Sequence, residues 1–219
     1  MRTNPFQDAW SFIIGETPDQ LSRGEWRWLL VAVFLALLLA GTVIAVRNWR
    51  EDPEQRTAAH LATCFARMLI GCMWFQGSLW KLPFFTTENG LFFWTKQMVE
   101  NSAFDWHRAL VQDVLLPAFI ILDPIVYLAE LTFAVSLILG LGVRLTGLLA
   151  IVFVVNLWIG LYRHPAEWPW NYVFLAFLMG AFSLHAAGRS LGLDAMLRRR
   201  TAWAVTLPAP VQRLIALAT

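Results

Sequence analysis

Five long apolar runs, at residues 28–46, 61–80, 124–143, 145–162 and 170–187, leave this chain few ways to fold. Each is long enough to cross a hydrocarbon layer of about 30 Å as a helix. Inside lipid every backbone N–H and C=O needs an internal partner, so a spanning segment is either a helix or a strand of a closed barrel. Barrel strands alternate apolar and polar residues, whereas these runs are continuous, and they read as helices. Composition agrees, because 58% hydrophobic and 15% charged residues in 219 are wrong for a soluble globule. About 25 residues carrying Asp8, Glu16, Asp19 and Glu25 precede the first run without a basic leader, so no cleaved signal peptide is expected.

Basic residues near the run ends set an expected orientation. Arg47, Arg50, Arg56, Arg67, Arg144, Arg189 and the run Arg198-Arg199-Arg200 fall on one side, which the positive-inside rule places in the cytoplasm. The opposite side holds the N-terminus, residues 81–123 and the connection 163–168. It also takes Trp26, Trp28, Trp80, Trp94, Trp106, Trp168 and Trp170, against Trp49 and Trp203 inside, and so reads as an elaborated outer surface. The expectation is a multi-pass protein of a bacterial inner membrane, N-terminus outside and C-terminus cytoplasmic.

The expected architecture is an all-α integral membrane protein. Residues 1–60 hold an outer segment, an extra first transmembrane helix and the charged connection 47–56, while residues 61–200 form a four-helix membrane domain and 201–219 a peripheral cytoplasmic tail. In the outer loop, residues 91–94 and 104–116 read as interfacial amphipathic pieces with Lys96, Glu100, Arg108 and Asp113 toward water. Asp123 before Pro124 reads as an N-cap followed by proline at the first helical position. Cys64, Gly71 and Ser78 recur every seven residues, a stripe of small side chains that admits a neighbouring helix closely. Cys64 and Cys72 read as packing residues, too far apart along one helix for a disulfide.

Glu130 is the anomaly. A carboxylate within an apolar run costs on the order of 3 kcal/mol near the bilayer centre, so it is expected to face the bundle interior with a partner or a task. Gln76 and Asn156 lie at comparable depth on other runs and could join it in one polar pocket opening toward Lys81, Arg163, His164 and Trp168. The plain alternative is interhelical hydrogen bonding, contributing about 0.6 kcal/mol per contact. A protonatable group in such a pocket suits quinone chemistry, whose reduction takes up two protons. Lys81 and Arg163 would draw an anion to the mouth, or snorkel as ordinary helix-end cations. His60 and His185 make a bis-histidine haem geometrically conceivable, but no metal site is expected. No phosphate loop, nucleotide fingerprint or nucleophile motif is present.

The segment Arg67-Met68-Leu69-Ile70-Gly71 through Gly77-Ser78-Leu79-Trp80-Lys81-Leu82-Pro83 resembles the first helix of the DoxX/DoxD membrane family. Pro124, Tyr127, Glu130, Leu139-Gly140-Leu141-Gly142 and Arg144-Leu145 resemble its second helix and the following turn. Trp170, Tyr172 and Gly188-Arg189-Ser190-Leu191-Gly192-Leu193-Asp194 resemble its last helix and closing sequence. The resemblance implies a DoxX-like four-helix bundle. It further implies the DoxD-type activity of thiosulfate:quinone oxidoreductase, with quinone as substrate and no tightly bound cofactor. Glu130 would handle protons, and Gln76, Lys81, Tyr127, Asn156, Arg163 and Trp168 would line the pocket. The alternative is a non-catalytic accessory subunit of a respiratory or photosynthetic complex. Either way the expected partners are lipid and other membrane subunits in a hetero-oligomer, not nucleic acid.

Overall fold

The computed structural model describes residues 4–86, 90–199 and 208–219, and among these no strand occurs. Four helices are long and apolar enough to cross a membrane: α3 (Trp26–Glu51), α4 (Ala58–Leu79), α7 (Phe119–Leu139) and α8 (Val143–Gly160). Two short helices, α1 (Pro5–Ile13) and α2 (Pro18–Leu21), precede them, and α5 (Gly90–Asn101) and α6 (Asp105–Leu110) lie between α4 and α7. Helices α9 (Trp170–Leu184), α10 (Leu193–Arg199) and α11 (Ala209–Ala218) complete the chain. The expected fifth span is the shorter α9, whose 15 residues rise about 22 Å. It ends before Ala186, which adopts a left-handed conformation. It nevertheless runs antiparallel beside α8, with the Ser183 hydroxyl donating to the Arg144 carbonyl at 2.7 Å. Apolar residues such as Ile120, Leu128, Val152 and Phe177 face outward, as a lipid-facing surface requires. Trp203, expected on the cytoplasmic face, and the last arginine of the basic run, Arg200, lie outside the described residues.

Helix α4 buries Cys64, Arg67, Gly71, Trp74, Phe75, Ser78 and Leu79, a spacing of three and four that makes one continuous stripe. The stripe packs along α7. A Cβ on Gly71 would stand 2.7 Å from Ile138 Cγ1 and 3.0 Å from the Ile138 backbone nitrogen, so this crossing needs glycine. Gly41 of α3 meets the same residue from another side. On the N-terminal flank, Phe12 of α1 packs edge-on against Phe34 with ring centres 4.9 Å apart, and Phe34 packs on Phe75.

Two expectations about α7 change. The helix begins at Phe119, so Pro124 sits inside it rather than at its first position. Asp123 is therefore helical and caps nothing; its carboxylate instead accepts the Phe85 N–H at 2.6 Å. The preceding residues Val111–Leu115 widen into a π-turn two residues ahead of Pro117, whose missing N–H removes one ordinary helical bond.

At the arginine-rich end, α7 and α8 are joined by a turn in which Gly140 and Gly142 both take left-handed backbone, φ 69° and 62°. Buried Arg67 donates to the carbonyls of Leu137 and Ile138, satisfying the end of α7. Asp194 accepts from the N–H groups of Gly142 (2.7 Å) and Val143 (3.3 Å), satisfying the start of α8. Burial pushes the Asp194 carboxyl up from its usual range, and those two N–H donors together with Arg67 and Arg189 oppose the shift. Replacing Asp194 by alanine leaves the buried Val143 N–H and the half-buried Gly142 N–H unpaired, and is expected to cost about 1–3 kcal/mol in a reversible unfolding titration. An Asp194→Ala protein as stable as the wild type would show that the turn holds itself.

Candidate functional site

Beyond the last turn of α4 the chain bends back. Lys81 reaches over that turn so that its ammonium donates to the Gly77 carbonyl at 3.0 Å and stands 4.0 Å from the Trp80 ring centre. Its remaining partner is Glu130 of α7, at 2.6 Å. Both residues are 5% exposed, so the pair is buried and little screened by solvent. Glu130 uses Oε2 in this contact, and its Oε1 has no hydrogen-bond partner among the described residues.

The pair forms part of the wall of a cavity of about 360 Å³. Trp80, Trp94, Phe153 and Leu157 supply apolar and aromatic walls. A second polar group stands on the lining: Tyr172 of α9 donates its hydroxyl to Glu167 at 2.9 Å. Thr95 also faces the space, though its hydroxyl donates to the Leu91 carbonyl. A mostly apolar cavity of this size with a few placed polar groups fits a single ring-sized ligand head.

Of the residues expected to form one site, Glu130 and Lys81 meet here. The others go elsewhere for geometric reasons. Gln76 is five residues from Gly71, a rotation of about 140° around α4, and it faces a separate groove shared with Asp8 and Phe12. The Asn156 amide oxygen accepts from His107 Nε2 at 3.0 Å, and His107 Nδ1 meets the Ser102 hydroxyl at 2.9 Å. That Ser-His-Asn chain is not a nucleophile site, because Ser102 is 0% exposed. It ties the segment between α5 and α6 to α8. Arg163 is exposed and donates to the Ala103 carbonyl at 3.1 Å, serving the same tie. Trp168 is exposed, with its ring against Phe174. Tyr127 lies on the α7 face of Glu130, and its ring packs edge-on against Phe84. His60 bonds the Ser190 hydroxyl at 2.9 Å and His185 is exposed. Among the described residues no group of three His, Cys, Asp or Glu side chains could hold a metal ion.

Glu167 and Tyr172 were not read as site residues from the sequence. Their available signal was an acid five residues before a tyrosine at the start of an apolar run, which nothing local connects to Glu130. The fold and this cavity define a helical, multi-pass membrane protein with a buried ion pair on the wall of a ring-sized cavity. Comparison with protein-family models, with curated proteins and with solved structures finds no match to this chain.

Proposed function

We propose that this chain is a quinone-linked redox subunit of a membrane assembly, of the DoxD type found in thiosulfate:quinone oxidoreductase. The observation that carries the reading is the cavity whose aromatic walls meet a buried carboxylate with one free oxygen. A quinone ring fits between Trp80, Trp94 and Phe153, and its reduction consumes two electrons and two protons. Glu130, protonated, gives one proton to a ring oxygen. The carboxylate left behind is then stabilised by Lys81, which needs no rearrangement to do so.

The sulfur half of the reaction belongs to a partner subunit in this reading. Lys81 is engaged by Glu130 and the Gly77 carbonyl, Arg163 is engaged at Ala103, and Glu167 stands on the lining, so little here favours a small anion. Electrons reach the quinone from that partner. The arginine-rich end, with Arg47, Arg144, Arg189 and Arg198, is assigned to the cytoplasm of a bacterial inner membrane, and the cavity end to the opposite side.

A second reading, a non-catalytic accessory subunit, is favoured by α3. Of its 26 residues, Val31, Phe34, Gly41 and Asn48 are buried, which leaves a long apolar flank for another protein.

Thiosulfate-dependent reduction of a short-chain quinone analogue by the protein with its native partners separates the two. Glu130→Gln is expected to lower the rate by about 100-fold or more, the usual scale of a positioned acid. Equal rates in the two proteins would sink the role of Glu130. If the isolated chain binds no quinone and purifies in stoichiometric union with a larger complex, the accessory reading stands instead.

A further inference from the structure

The hydrogen-bonding capacity left free on the cavity lining is one-sided. Lys81 directs its ammonium to the Gly77 carbonyl, the Glu130 carboxylate and the face of Trp80. The Thr95 hydroxyl donates to the Leu91 carbonyl at 2.8 Å, and the Tyr172 hydroxyl to Glu167 Oε2 at 2.9 Å. Every ammonium and hydroxyl donor on the lining therefore has a protein partner. What remains is oxygen. Paired with the Lys81 ammonium, Glu130 is a carboxylate, and its Oε1 can only accept. With its proton directed at Glu167, Tyr172 offers its phenolic oxygen as an acceptor, and the other oxygen of Glu167 has no hydrogen-bond partner among the described residues. Donors enter only through the indole N–H groups of Trp80 and Trp94. The acceptors also stand in two places: Glu130 on α7 beside Lys81, and Tyr172 on α9 beside Glu167, with no hydrogen bond between the two pairs. Apolar Phe153 and Leu157 of α8 line the same space.

We propose that the cavity selects the reduced ring, binding a hydroquinone through its two O–H groups in preference to the oxidised quinone. One hydroxyl donates to Glu130 Oε1 and the other to the phenolic oxygen of Tyr172. A quinone oxygen can only accept, so facing these groups it leaves acceptor against acceptor, both stripped of water and unpaired. A site built to pair with a ligand O–H rejects the analogue that lacks it. Glu167 sets this selectivity without touching the ligand, because it holds the Tyr172 proton away from the cavity. The arrangement is also the one that proton transfer leaves behind, with Glu130 ionised against Lys81. Holding the product more tightly than the substrate makes the bound quinone a stronger oxidant than the free one, by about 30 mV for each tenfold difference in affinity of this two-electron couple.

The selectivity rests on the quinone reading of the same cavity, and one set of titrations separates the two. A short-chain benzoquinone and its hydroquinone are titrated anaerobically, by calorimetry, into the full chain in lipid nanodiscs, with empty nanodiscs as the blank. The hydroquinone is expected to bind about 10-fold more tightly or better, the scale of one buried hydrogen bond made rather than missed. Tyr172→Phe keeps the ring and removes the acceptor. It is expected to weaken hydroquinone binding by about 10-fold and to leave quinone binding within about twofold. Glu167→Ala, a change in the connection outside the helices, frees the Tyr172 proton to point at the ligand, and is expected to narrow the preference by tightening the quinone. Equal affinities in the wild type, or a preference that neither variant alters, overturn the selectivity and leave the quinone reading standing. A wild type that binds neither form overturns the quinone reading and the selectivity with it.

Discussion

Lys81→Met is expected to lower the stability of the folded protein by about 3–5 kcal/mol, the usual cost of removing one partner from a buried ion pair. The loss does not measure the worth of the pair. It arises because Glu130 remains 5% exposed with its Lys81 partner gone, and must either hold an uncompensated charge or bind a proton. Glu130→Gln should cost less, since the ammonium keeps the Gly77 carbonyl and the Trp80 face. The decisive comparison is the double variant Lys81→Met with Glu130→Gln. It is expected to be more stable than Lys81→Met alone, because no buried charge is left over. Unfolding titrations of the four proteins in one detergent provide the cycle, and strict additivity of the two single losses would show that the residues do not act as a pair.

Gly71→Ala should destabilise the bundle by about 1–3 kcal/mol, whereas the same change six residues on, Gly77→Ala, should stabilise it by about 0.5–1 kcal/mol. Both glycines lie on α4, and alanine is the better helix former at either. The difference is tertiary. The new methyl at position 71 would meet Ile138 Cγ1 at 2.7 Å, with the Ile138 nitrogen and Leu137 Cβ each at 3.0 Å, and backbone cannot step aside cheaply. At position 77 nothing lies within 4 Å. Thermal unfolding of the two variants tests the crossing, and equal shifts in the same direction would mean that α4 and α7 do not approach as described.

The run ends were legible within a few residues for α3, α4 and α8, because hydrophobic length and helical hydrogen bonding are properties of local sequence. The start of α7 was misread because Asp123-Pro124 has the local chemistry of a helix start. Residues 119–122 already form helix, so the aspartate is carried into the interior to meet Phe85. Gln76, Asn156 and Arg163 share an expected depth with Glu130 but turn to other partners. Depth follows from counting residues at 1.5 Å each, but azimuth matters only relative to a neighbour whose position is not written locally.

The sequence by itself therefore determined a helical membrane protein, the small-residue stripe through Gly71, and the improbability of Glu130 lying unpartnered in lipid. Each of these follows from the cost of exposing a polar group to hydrocarbon or from side-chain size at a helical period. Only the tertiary structure decided that Lys81 turns back onto Glu130, that Tyr172 and Glu167 complete the cavity, and that Gln76, Asn156 and Arg163 serve other contacts. The reason is the same in every case. Partners drawn from different helices are chosen by how α4, α7, α8 and α9 rotate and cross when their small and large side chains interlock, and that choice belongs to the whole bundle rather than to any one segment.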